Sequence, residues 1–247
     1  MKLLKPFIVL SLFAFYSSSS AQEFGDNQSF AQTDSEVSQS SSSFGSGFFR
    51  GRSNSYEVTI TNLTYNQVFA PSLVVSHSSD IQLFEAGEVA SEGIAIMAEA
   101  GDVSAIVASV DGDSRVRGAG VTEGPLAPGA STTITIPANG GSRISLVSML
   151  VNTNDAFYSV NSVSTPSFWR SLTVYPDAYD AGTELNDELC SNIPGPACGG
   201  EGVSAADGEG FIHIHRGMHG VGDLSAAEYD WRNPVAKVTV RNIFTAQ

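Results

Sequence analysis

Basic residues are scarce in this chain: 12 lysines and arginines stand against 26 aspartates and glutamates, a formal net charge of −14. That balance argues against nucleic acid or an anionic membrane as an unaided partner and favours cations. Cysteine is nearly absent. The two present, Cys190 and Cys198, bracket Ser-Asn-Ile-Pro-Gly-Pro-Ala. A thiolate zinc centre therefore lacks its ligands, and pairing across this turn-rich loop is the expectation for an oxidising compartment. So small a loop contributes about 2–3 kcal/mol, enough to pin a loop but not to hold a fold. Past the N-terminus no apolar run approaches the roughly 20 residues of a membrane span. Common catalytic motifs are missing as well. There is no Gly-x-Ser-x-Gly elbow and no single Cys partnered by His. Gly199-Gly200-Glu201-Gly202 lacks the Lys and Ser/Thr that make a phosphate loop. Paired carboxylates are also the equipment of glycoside hydrolysis, but no spacing here sets their separation.

Residues 1–21 carry Lys2 and Lys5, then the apolar run Pro6 to Phe15, then small residues ending Ser19-Ser20-Ala21. This is the pattern of a secretory signal peptide cut between Ala21 and Gln22, with no cysteine there to take a lipid. The expected destination is extracellular, periplasmic or cell-surface. Residues 22–53 are rich in Ser, Gln and Gly and poor in branched aliphatics, the composition of a disordered linker. Residues 54–247 form the expected globular domain.

Within it, alternation of large and polar side chains predicts strands at Tyr56 to Leu63, Leu73 to His77, Arg115 to Val121, Thr132 to Pro137, Ser142 to Val151, Ser171 to Tyr175, Phe211 to His215 and Val235 to Ile243. A helix is expected near Ala90 to Ala100, with Ser91 as N-cap and Gly101 as its stop, and a further short turn at Ala105-Ile106-Val107. About eight strands, one or two short helices and no βα alternation imply an all-β fold, an antiparallel β-sandwich.

Two loops stand out. Asn152-Thr153-Asn154-Asp155 follows one strand and Tyr179-Asp180-Ala181-Gly182-Thr183-Glu184 follows another. If both strands belong to one sandwich, Asp155, Asp180 and Glu184 can converge at one of its edges. Three carboxylates cannot all stay ionised cheaply without a neutralising partner. Oxygen ligands on loops suit a hard divalent cation, Ca²⁺ ahead of Mg²⁺. Solvated loop acids are the plain alternative.

The phrases Ile60-Thr61-Asn62-Leu63-Thr64, Phe69-Ala70-Pro71, Leu83 to Gly93, Ser148 to Phe157, Tyr179 to Glu184 and Asn233 to Val240 occur in the order of a spondin domain, and the chain resembles that family over about Asn54 to Phe244. Animal members carry the domain with other extracellular modules, whereas signal, linker and domain alone look like the stand-alone bacterial type. The resemblance implies a sandwich similar to calcium-dependent lipid-binding domains, and a role in adhesion rather than catalysis. It further implies a cation held by Asp155, Asp180 and Glu184, the last standing where animal members have aspartate. The partner would be a cell-surface or matrix protein or a glycan, for which no binding face can be matched.

A rival constellation is His213, His215 and His219. Two imidazoles two apart on a strand share a face, and a third after Gly217 would complete a zinc or copper site of a metalloenzyme. Structural, hydrogen-bonded histidines are the alternative. Asp207, Glu209 and Asp223 could be further oxygen ligands or ordinary turn acids, the turn being favoured, and Trp231 reads as a cap on the core ahead of a ligand-stacking edge.

Overall fold

The computed structural model describes residues 54–167, 170–203 and 207–243. The chain divides into two units, residues 1–49 and 50–247, and only the second is described. The signal peptide and linker expected over residues 1–53, and the pair Phe168-Trp169, lie outside the described residues.

Two antiparallel sheets face each other. The first has four strands, in the order β4 (Ser131–Ala138), β1 (Asn54–Asn62), β10 (Ala236–Ile243), β7 (Ser171–Val174). The second has six, in the order β3 (Val116–Val121), β2 (Leu73–His77), β5 (Arg143–Met149), β6 (Ala156–Ser164), β8 (Ala178–Asp180), β9 (His213–Ile214). In β1, Tyr56, Val58 and Ile60 point into the space between the sheets while Glu57, Thr59 and Thr61 point out, the period-2 pattern of a half-buried strand. Val238 and Val240 of β10 and Ile136 of β4 join them, and Val74, Ile144, Leu146, Tyr158 and Val160 complete this core from the second sheet.

The middle of the second sheet, β2, β5 and the first half of β6, is buried on both faces. Helices α1 (Glu92–Ala100) and α2 (Ser104–Val110) cover its far side, packing Ile94, Met97, Ala98 and Ile106 against Leu73, Val75, Val147 and Phe157. That is why Leu73 to His77 is buried throughout and shows no alternation. Ser91 caps α1 by accepting from the Ile94 amide, and Gly101, at φ +71°, ends it, as expected.

Ten strands are present among the described residues, two more than the sequence patterns suggest. β6 was hidden by Ser159, Asn161, Ser162 and Ser164, which look like loop chemistry, and β8 is three residues long. The strand expected from Phe211 to His215 contracts to His213–Ile214. Cys190 and Cys198 are bonded, with Cα atoms 4.7 Å apart. Trp231 is buried in the inter-sheet core. Asn62, which heads the glycosylation pattern Asn-Leu-Thr, is fully buried: its amide donates to the Gln67 and Leu126 carbonyls, and its oxygen accepts from the Thr64 amide and hydroxyl.

Candidate metal centre at the edge of the six-stranded sheet

At one end of the second sheet, the turn joining β5 to β6, the segment leaving β8 and the segment entering β9 come together. The turn supplies Asp155. Its Oδ2 accepts from the Thr183 amide at 2.8 Å, the Thr183 hydroxyl at 3.2 Å and the Glu184 amide at 3.1 Å, tying the two acidic loops to each other. Asn154 reinforces the tie, donating to Asp187 at 3.0 Å and accepting from the Glu188 amide at 3.2 Å. The two loops therefore meet, Asp155 reaching the Thr183 side chain and the backbone of Thr183 and Glu184, and Asp155, Asp180 and Glu184 are all fully buried.

Asp180 ends β8. Its Oδ1 accepts from the Gly182 amide at 2.8 Å, an Asx-type turn that needs a glycine: Gly182 has φ +67°, and a Cβ there would meet the Phe211 carbonyl oxygen at 2.2 Å. Its Oδ2 accepts from Asn186 at 2.6 Å. Among the described residues no lysine or arginine pairs with Asp155 or Asp180; the basic groups near Asp180 are two imidazoles, His213 at 3.6 Å and His215 at 3.9 Å. Burial, and then the neighbouring Asp180 charge, push the Asp155 carboxyl up to about 7. Burial raises Asp180 as well, against the hydrogen bonds from Asn186 and Gly182. Asp155 Oδ1 is buried and has no hydrogen-bond partner. An orphaned carboxylate oxygen beside a second buried carboxylate, on loops bearing only oxygen donors, fits a hard cation.

The three histidines do not form one ligand set. His213 and His215 do share a face, both flanking Asp180, as their spacing implies. But both ring nitrogens of His215 are engaged: Nδ1 accepts from the Gly217 amide at 2.9 Å, which places the ring proton on Nε2, donated to Asn186 Oδ1 at 3.0 Å. Burial, then the charges of His213 and Arg216, pull His215 down to about 3. Its task is orientation. With Asn186 Oδ1 facing His215, the Asn186 amide nitrogen must face Asp180 Oδ2 at 2.6 Å and Glu209 Oε1 at 3.4 Å. His219 is exposed, and its backbone N–H donates to Glu188.

The group that does assemble is Asp180, Glu209 and His213, whose ligand atoms all lie within 4.8 Å of one another. Asp223 accepts from the Cys190 amide, 33 residues away in sequence. Sequence reasoning missed Asn186; for Glu209, open between a further oxygen ligand and a turn acid with the turn favoured, the geometry brings out the less favoured alternative.

No curated protein matches the chain. A family model does, that of the amino-terminal spondin domain, Spondin_N, over residues 58–190, more than half of the 247-residue chain and including Asp155, Asp180 and Glu184. The order of phrases along β1 to β8, the two-sheet architecture and this match agree, and the chain belongs to the spondin amino-terminal domain family.

Proposed function

We propose that this chain is an exported, adhesion-type binding module whose sheet edge holds a divalent cation, calcium first, through Asp155, Asp180 and Glu184. The family is one of extracellular modules of this kind and not of enzymes. No helix among the described residues is long and apolar enough to cross a membrane. The signal-peptide pattern of residues 1–21 supports export.

The observation that carries the cation reading is the unpartnered, buried Asp155 Oδ1 beside the Asp180 carboxylate. Two buried carboxylates repel unless a cation or a proton intervenes, and as pH rises past about 7 the proton leaves Asp155. The ion would supply charge compensation and fasten the 152–155 and 180–188 loops, which then present a stiff surface to a cell-surface or matrix protein or a glycan. Calorimetric titration of calcium into chelator-treated protein tests this. One ion per chain is expected, with uptake abolished in Asp180→Ala. A flat titration of the wild type, or an Asp180→Ala protein that takes up calcium as the wild type does, removes the reading.

A further inference from the structure

We propose that Asp180, Glu209 and His213 form a second site, for a borderline transition-metal dication with zinc foremost, on the solvent side of the acidic centre. Asp180 and His213 are directly opposed across the β8–β9 ladder, so the backbone pairing itself sets them side by side. His213 Nε2 lies 3.6 Å from Asp180 Oδ1 and 4.0 Å from Glu209 Oε2. Those separations are too long for hydrogen bonds and close to the edge of a coordination tetrahedron. With metal–ligand bonds of about 2.1 Å, neighbouring ligands stand roughly 3.4 Å apart.

The tautomer of His213 points the same way. Its Nδ1 is 3.1 Å from the Ile214 carbonyl oxygen, which can only accept, so Nδ1 carries a proton. In the neutral ring the Nε2 lone pair then faces two carboxylates. An imidazole that donates one N–H to a backbone carbonyl while offering the other nitrogen is the usual arrangement of a metal-bound histidine. Asn186, held by His215, donates to the oxygens of Asp180 and Glu209 that do not face His213, leaving Asp180 Oδ1 and Glu209 Oε2 turned toward it.

The nitrogen donor separates this site from the calcium reading, since calcium takes oxygen ligands and imidazole suits zinc. His213 and Glu209 side chains are 27% and 33% exposed, so an ion can enter and a fourth position stays open to water or to a donor from a partner. Both residues lie beyond residues 58–190, where the family match ends. The inference shares Asp180 with the calcium reading but uses neither Asp155 nor Glu184.

The test is calorimetric titration of zinc chloride into the metal-free full chain, with cobalt(II) absorption as a second readout and circular dichroism to verify that each variant folds. One zinc per chain is expected. His213→Ala and Glu209→Gln should each weaken it by tenfold or more, Asn186→Ala by about tenfold, and His219→Ala should leave it unchanged. Calcium affinity should stay within about twofold in His213→Ala, whereas Asp155→Asn should lose calcium and keep zinc. A wild type that takes up no zinc overturns the proposal. Uptake that His213→Ala leaves intact overturns it too. If calcium fails to bind while zinc follows this pattern, the calcium reading falls and this one stands.

Discussion

Replacing Asp155 by asparagine should reverse sign with calcium. In chelator at pH 8 the ionised Asp155 is buried against Asp180 with one oxygen unpartnered. Its carboxyl stands at about 7 against a normal 3.8, and at about 1.4 kcal/mol per pH unit the charged form costs the folded protein roughly 4 kcal/mol at most. Asparagine keeps an acceptor oxygen for Thr183 and Glu184 and puts an amide donor where the orphan oxygen was. Allowing half the gain for relaxation, Asp155→Asn should be more stable by about 2 kcal/mol. For a domain of this size that is about 4–8 °C in melting temperature. With calcium at 100 times its dissociation constant the wild type gains about 2.7 kcal/mol and should overtake the variant. Thermal melts followed by circular dichroism, with and without calcium, decide. An asparagine protein that melts below the wild type in chelator, or two proteins that respond equally to calcium, would refute the reasoning.

The pH dependence separates two opposed titrations. Asp155 is raised in the folded state, so folding takes up a proton between about pH 4 and 7, and its cost grows as pH rises through that window. His215 is lowered to about 3, so its contribution is intact above 6.5 and is lost as pH falls from there. The slopes oppose each other over pH 4 to 6.5: the chelated wild type should show a shallow profile, and Asp155→Asn a stability that rises with pH in urea titrations. Leu146→Ala, in the core between the sheets, should cost about 2–5 kcal/mol in the same assay without altering calcium uptake. Serine at both Cys190 and Cys198 should cost about 2–3 kcal/mol and leave the far-ultraviolet spectrum unchanged. Secretion from a glycosylating host should give a protein unmodified at Asn62 by mass spectrometry, since all its side-chain hydrogen-bonding groups are spent inside the fold.

The sandwich was legible where one face of a strand meets water. β1 and β10 alternate cleanly, and α1 carries both its cap and its stop in Ser91 and Gly101. β6 escaped because Ala156 to Val160 are buried without alternation and its second half is polar, with Asn161 donating to the Phe84 carbonyl and the Ser162 backbone N–H to Ser145. The meeting of Asp155 with the Thr183-Glu184 segment was inferable from the two acidic loops. Asn186 was not, because its importance comes from its bond to His215, 29 residues away in sequence, a contact that no local spacing encodes. The same folding back brought Glu209 to Asp180 and spent the second nitrogen of His215 on its own chain.

Asp155 divides its carboxylate between two jobs: one oxygen clasps the neighbouring segment through three donors while the other points at nothing. Whatever satisfies the idle oxygen must therefore also alter how firmly the clasp closes. On the proposed cation reading, occupancy and rigidity at this rim would form a single equilibrium, and a visitor reaching the surface would sense the ionic content of its surroundings through the stiffness of the loop it touches.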